Sequence, residues 1–238
     1  MIDFSLLRSL NAGTKEERLQ TLKNVMQATA FIPVDPRMVN NHIHTSYSFS
    51  PYSPTAAVYA ARAEGLATCG IVDHDSIGGA KEFIAAGEIV GIPTTIGVET
   101  RVSFEENSLK DRRTNNPDQV GNSYMVLHAV PHDKIETVQA YFAPLRERRN
   151  ARNRKMIERI NALYAADGVY IDFERDVLPL SQYTDGGTVT ERHLMLALAK
   201  QLLKLGKAKL PEGASELQTM LAEYDLVGSL KKDCIPQV

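Results

Sequence analysis

The chain has 238 residues, of which 43% are hydrophobic and 24% charged, enough for one large domain with a smaller lobe. Its 27 basic and 29 acidic side chains nearly cancel, and a formal net charge of -2 excludes a global attraction to nucleic acid or to an anionic membrane. Cys69 and Cys234 lie far apart, which argues against a disulfide scaffold. Because no apolar run approaches ~18 residues, we expect a cytoplasmic protein with no membrane span.

The first half of the chain alternates helix and strand signals. Apolar residues at helical spacing predict a helix within the first 30 residues, where Thr14 and Glu17 have the form of a capping box. Ser53 and Pro54 mark the start of a later helix. The elements predicted after the first helix are strands at 38–43, 68–73 and 94–102 and helices at 54–65 and 77–90. Such alternation predicts βαβ units and a parallel sheet.

The second half of the chain is predicted to be mostly helical. A polar, turn-rich stretch at 104–122 predicts a loop or hairpin before a fourth strand at 123–130. The elements predicted beyond it are helices at 134–165, 188–205 and 214–228 and a possible short strand at 169–173. We therefore predict an α/β fold made of a helical arm at 1–37, the first half of a βα barrel at 38–131 and a mostly helical lobe at 132–238.

Potential metal ligands stand at the ends of successive predicted strands. His42 and His44 are two residues apart at the end of the first strand, so both rings point to the same face. His74 ends the second strand, Glu99 ends the third, and His128 lies near the end of the fourth. In βα barrels this edge carries the active site. Imidazole and carboxylate ligands without thiolate favour Zn, Mn or Fe.

Each of these signals has a plain structural alternative. A His-x-His pair also occurs on surface strands without a metal, and an Asp-His-Asp sequence can cap the helix that follows it. Their coincidence at equivalent ends of consecutive strands favours a metal site. We expect Asp73 and Asp75 to orient the histidine rings, as metal sites usually require. Capping of the helix before Ile77 is the equal alternative for both carboxylates.

A series of short motifs follows one order along residues 38–103. The motifs are His42-Ile43-His44-Thr45, Ser53-Pro54, Gly65-Leu66, Ile71-Val72-Asp73-His74-Asp75 and Gly97-Val98-Glu99. In this order and spacing they resemble the polymerase and histidinol phosphatase (PHP) family of metal-dependent phosphoesterases. The resemblance implies a distorted, TIM-like barrel of seven strands and a cluster of two or three divalent metal ions, with Mn, Fe or Zn as candidates.

The resemblance also implies roles for the candidate ligands. His42 and His44 would hold one metal, Glu99 would bridge two, and His74 would bind at a neighbouring site. His128 resembles the next histidine ligand of the family. We accordingly expect a hydrolase that cleaves a phosphoester of a small metabolite or nucleotide with metal-activated water.

Two departures from the family pattern keep other readings open. Ser48 is followed by Phe49 where family members usually have Asp, so one metal is expected to be absent or held less tightly. The late family motifs are missing after residue 130, and we expect a missing C-terminal half or another chain to complete the barrel. The alternative functions are a degenerate, non-catalytic PHP module that binds or regulates, and hydrolysis of a C–N bond.

The predicted lobe adds two candidate substrate contacts. Residues 146–155 carry six basic side chains, which form either a solvated helix face or a grip on a phosphate. No aromatic residues are interleaved with them, so nucleic-acid binding is not expected. Arg192 and His193 follow Thr190 at a predicted helix start, and some PHP proteins with a helical insertion have a similar pair facing the metals. Here the Arg is displaced by one position from that pattern, which leaves two interpretations. Arg192 and His193 contact a small phosphorylated substrate, or they form only the polar start of a helix capped by Thr190.

Overall fold

The computed structural model describes residues 4–116 and 119–210. Its helices are α1 Phe4–Asn11, α2 Lys15–Met26, α3 Pro54–Ala63, α4 Ala80–Val90, α5 Ile135–Leu163 and α6 Glu191–Lys204. Its strands are β1 Asp35–Ile43, β2 Leu66–Ile71, β3 Thr94–Ile96, β4 Val98–Ser103 and β5 Asn122–Leu127. The helix predicted at 214–228 and Cys234 lie outside the described residues. No helix in the described part of the chain is long and apolar enough to cross a bilayer.

Local capping signals place the first helices where they were predicted. The backbone N–H of Thr14 donates to the Glu17 carboxylate at 2.8 Å, and the Glu17 N–H donates to the Thr14 hydroxyl at 3.2 Å, so the capping box is confirmed. Ser53 accepts a hydrogen bond from the Ala56 N–H at 3.1 Å and begins α3. These side chains satisfy N–H groups that have no partner within the first turn of a helix.

Three strands form the expected parallel sheet, in the order β1-β2-β3. The third predicted strand divides into β3 and β4 at Gly97. A Cβ atom on Gly97 would lie 2.2 Å from the carbonyl oxygen of Leu127, so only glycine permits this close approach of two backbones.

The fourth predicted strand is present as β5, but it runs antiparallel to β4. The expectation of a parallel strand was wrong because residues 104–121 connect β4 to β5 directly. A connection without a crossover helix brings consecutive strands together in opposite directions.

The short strand predicted at 169–173 is also absent from the described structure. The Asn161 side chain bonds the backbone N–H and C=O of Ile171, both at 2.8 Å, so these groups are not available to a sheet. A π-helical turn, Phe173–Val177, follows this segment.

The buried hydrophobic residues form two separate cores. The first packs α1 to α4 against the sheet around fully buried Phe83 and Leu22. The second lies in the lobe, between the second half of α5, the π-helical turn and α6. Phe49, from the loop after β1, belongs to this second core and therefore ties the half barrel to the lobe.

The strands do not close into a barrel over the described residues. β1 and β5 are the outermost strands, and each leaves one edge without a partner strand. Large apolar side chains near these edges are about half exposed: Met38 45%, Val39 52%, Met125 52% and Leu127 51%. The α/β architecture is thus an open half barrel with an apolar surface at its free edges.

Candidate metal centre

Backbone pairing beyond the regular strands brings the ligand residues together. The chain after β2 continues alongside the start of β4: the Glu99 N–H donates to the Asp73 carbonyl at 3.1 Å, and the Asp75 N–H donates to the Glu99 carbonyl at 2.8 Å. This pairing sets His74 directly beside Glu99. His44 follows the last residue of β1 on the other side of β2.

Three histidines surround one oxygen atom of Glu99. The distance from Glu99 Oε2 is 3.1 Å to His42 Nε2, 3.2 Å to His44 Nε2 and 3.7 Å to His74 Nδ1. The His44 and His74 rings are stacked, with centroids 4.6 Å apart. Four of the predicted ligands, from three successive strands, therefore converge on one point.

These donors fit a divalent metal ion. His42, His44 and Glu99 offer ligand atoms that lie within 4.8 Å of one another. Ligand bonds of about 2.0–2.2 Å in a tetrahedral arrangement separate neighbouring donor atoms by roughly 3.3–3.6 Å, close to the distances between these side chains. Two imidazoles and a carboxylate suit Zn, Mn or Fe, so the residues can hold a metal, although they do not define which one.

Both His74 and Glu99 are held in the protonation state that binds metals. Burial and, to a smaller extent, the adjacent His44 together lower the pKa of His74 to about 4. Burial opposes ionisation of Glu99, but the hydrogen bond with His44 and the nearby imidazoles outweigh it and lower the pKa of this carboxyl. A neutral imidazole and an ionised carboxylate are the ligand forms that metals require.

Asp73 and Asp75 contact other groups than those predicted. The Asp73 carboxylate accepts hydrogen bonds from the Thr45 N–H, the Thr45 hydroxyl and the Ser48 hydroxyl, each at 2.6 Å. Asp75 has a left-handed backbone, with φ of 50°, and its carboxylate bonds Thr100 and Arg149. Because the N-cap of α4 is Gly79, neither aspartate caps that helix. Their hydrogen bonds join the loop after β1 and the lobe to the site instead of orienting a histidine ring.

His128 is not brought to the metal ligands. Its assignment assumed a parallel strand, whereas antiparallel β5 runs past Glu99 and ends beside Val98, at the start of β4. His128 is exposed and lies outside the residues that line the pocket over the centre. Tyr124, near the start of β5, occupies the active edge, and its ring lies 5.9 Å from that of His74.

A pocket of about 320 Å³ opens over the histidine cluster. Its walls combine the ligand residues with residues of β4, β5, α5 and the start of α6: His42, His44, Phe49, His74, Glu99, Arg101, Tyr124, Arg149, Thr190, Glu191 and Arg192. Of the two predicted substrate contacts, Arg192 lines this pocket, with its guanidinium carbon 5.7 Å from the centre of the Phe49 ring.

His193 lies inside the lobe, where only 2% of it is exposed. Its Nδ1 accepts a hydrogen bond from the Thr190 N–H at 2.9 Å, and its ring packs edge-to-face on Phe49. Burial lowers the pKa of His193 to about 3, so the ring is neutral. The predicted contact of His193 with substrate is not supported by this position, because the ring caps α6 and fills the core.

The solvated-face reading of residues 146–155 is wrong in part, because Arg146 is buried and Arg149 lines the pocket. Arg101 and Glu191 also line it and were not predicted. The sequence did carry one signal for Arg101, since it lies two residues after Glu99 and therefore on the same face of the strand.

The geometry defines an α/β fold in which candidate metal ligands come from the ends of successive strands. Residues 40–144 match the family model of the PHP domain. This match confirms, over these residues, the resemblance inferred from the strand-end motifs.

Three individual proteins are similar to parts of the chain. A 5'-3' exoribonuclease from Haemophilus influenzae is 38% identical over 64 residues, which are 27% of this chain and 23% of that protein. A protein from Bifidobacterium adolescentis assigned to the metal-dependent phosphoesterases superposes with a TM-score of 0.52 and 22% identity, over 85% of this chain and 60% of its own. An amidohydrolase from Chromobacterium violaceum, solved with bound sulfate and no metal, gives a TM-score of 0.50 and 20% identity, over 80% of this chain and 64% of its own.

Proposed function

We propose that the protein is a metal-dependent hydrolase that cleaves a phosphoester. The observation that carries this proposal is the convergence of His42, His44 and His74 on Glu99 beneath a pocket lined with arginines. The match of residues 40–144 to the PHP domain supports it, and so does similarity to an exoribonuclease and to a metal-dependent phosphoesterase. The chain spans 23% of the length of the first protein and 60% of the second.

The mechanism follows from the ligand set and the pocket walls. His42, His44 and Glu99 would hold a divalent ion, and His74 would be available as a ligand beside them. A bound divalent ion supplies a nucleophile at neutral pH, because it lowers the pKa of water to about 7, and it also neutralises phosphoryl charge. The exposed guanidinium of Arg192 can bind a phosphate oxygen and orient the phosphoryl group for in-line attack.

We propose a small phosphorylated metabolite or a nucleotide end as substrate. A pocket of about 320 Å³ lies at the small end of the range for ligand sites. Phe49 and Tyr124 provide aromatic walls, and Arg192 supplies a charge complementary to a phosphate. We propose two or three divalent ions, with Mn, Fe and Zn as candidates, and residue 49 would contribute no aspartate ligand because it is Phe49.

A phosphoester screen on metal-loaded protein tests the hydrolase. We expect turnover of phosphomonoesters or phosphodiesters with Mn, Fe or Zn, loss of activity after chelation, and recovery when the metal is restored. His44→Ala is expected to abolish activity because it removes a ligand, whereas the exposed His132→Ala is the matched control and should retain it. Equal rates in the two variants would contradict the site assignment.

A non-catalytic metal-binding module is the second candidate, and Phe49 favours it. Its ring is 7% exposed and belongs to the lobe core, so the residue that replaces the expected aspartate serves packing. Such a protein would bind the metal with the same residues but would turn over no phosphoester with any of the three metals. Metal binding without turnover would therefore favour this candidate.

We also propose that further strands, supplied by another segment of the protein, pair with the free edges of β1 and β5. The exposed apolar residues at these edges support this, and so does the greater length of the two solved chains, of which the chain covers 60% and 64%. Hydrogen–deuterium exchange of the protein isolated from its own cells tests it. Slow exchange is expected at 38–40 and 125–127, and rapid exchange there would contradict closure.

A further inference from the structure

A cluster of arginines beside the metal ligands is held together by one carboxylate. Glu191 Oε1 lies 3.3 Å from Arg101 Nη2 and contacts Arg152, and Glu191 Oε2 lies 3.6 Å from Arg149 Nη1. Arg149 also contacts Asp75. Glu191 and Arg149 are largely buried, with 17% and 12% of their side chains exposed, so these charges interact with little screening by water.

The cluster has the features of an anion-binding site that is already filled. Three guanidinium groups face two carboxylates, which leaves one positive charge in excess. The Nε–H groups of Arg101 and Arg152 are buried and have no hydrogen-bond partner among the described residues. Three convergent arginines are an arrangement that binds oxyanions such as sulfate or phosphate, and here a side-chain carboxylate stands in that place.

We propose that Glu191 determines the charge of the ligand that this pocket accepts. Its carboxylate occupies the oxyanion position on Arg101, Arg149 and Arg152, and it repels a second dianionic group placed there. The ligand is therefore one whose dianionic, phosphate-like group lies at the metal ligands, while the part that reaches the arginine cluster carries no second dianion. The identity of the reacting group rests on the proposed function, but the charge selection by Glu191 does not.

Sulfate binding measured by calorimetry on metal-loaded protein tests this inference without turnover. Glu191→Gln keeps the shape of the side chain and removes its charge, so we expect it to bind sulfate about tenfold more tightly than the wild type. Glu191→Asp retains the charge and is expected to behave much like the wild type. Glu174→Gln is the matched control, because Glu174 pairs with Arg154 on the exposed side of α5.

Two further outcomes keep the inference falsifiable. In the double variant Glu191→Gln with Arg152→Met, the gain in sulfate affinity should disappear, because one of the three donors is lost. If Glu191→Gln is unstable, sulfate but not chloride should restore its melting temperature, since a dianion replaces the missing carboxylate. Equal sulfate affinity in Glu191→Gln and Glu174→Gln, or a gain that survives Arg152→Met, would overturn the proposal. A failed phosphoester screen together with the tenfold gain would reject the hydrolase and leave this proposal intact.

Discussion

Glu99→Gln is expected to lower phosphoester hydrolysis by about 100-fold and to reduce the bound metal, because Glu99 Oε2 lies within 3.7 Å of His42, His44 and His74. Glutamine keeps the volume of the side chain, so the fold should persist while the negative charge that attracts the cation is lost. Initial rates and elemental analysis of the purified variant measure the two effects.

The matched control for this substitution is Glu105→Gln. Glu105 is an exposed carboxylate in the connection between β4 and β5, and its replacement should leave both rate and metal content unchanged. A Glu99→Gln protein that keeps its metal and its rate would show that the histidine cluster is not the catalytic centre. If the variant keeps its metal but loses its hydrolysis rate, Glu99 acts in the reaction itself and contributes little to metal affinity.

Asp73→Ala is expected to lower the free energy of unfolding by about 3–5 kcal/mol, because it leaves three buried hydrogen-bond donors without an acceptor. Asp73 is 1% exposed and accepts three hydrogen bonds from Thr45 and Ser48, both fully buried. Burial raises the pKa of this carboxyl, and the three hydrogen bonds oppose that rise. Without the carboxylate, one N–H and two hydroxyl groups lose their partner in the interior.

Urea denaturation at neutral pH measures the effect of this substitution. Asp111→Ala, at an exposed position in the connection before β5, is the control and should change the free energy of unfolding by less than about 0.5 kcal/mol. An Asp73→Ala protein as stable as this control would contradict a structural role for the network. Thr45 directly follows His44, so the same substitution should also weaken metal binding by loosening the loop behind that ligand.

Several features of the protein were determined by the sequence alone because their causes are local. The capping box of Thr14 and Glu17 and the N-cap Ser53 each depend on contacts within three residues. The position of the ligands is almost as local. Strand alternation puts His42 and His44 on one face, and parallel strands end at a common edge, so the convergence of His74 and Glu99 on them could be predicted.

Other features depend on which strands and helices contact one another in the tertiary structure, and local sequence patterns do not predict those contacts. The direction of β5 is a property of strand pairing, and it places Tyr124 at the site where His128 was expected. The sequence predicted the helices α5 and α6 but not the elements that pack against them. Only packing of the lobe on the half barrel buries Phe49 and brings Arg149 to Glu191, because contacts between residues distant in sequence form through the tertiary fold.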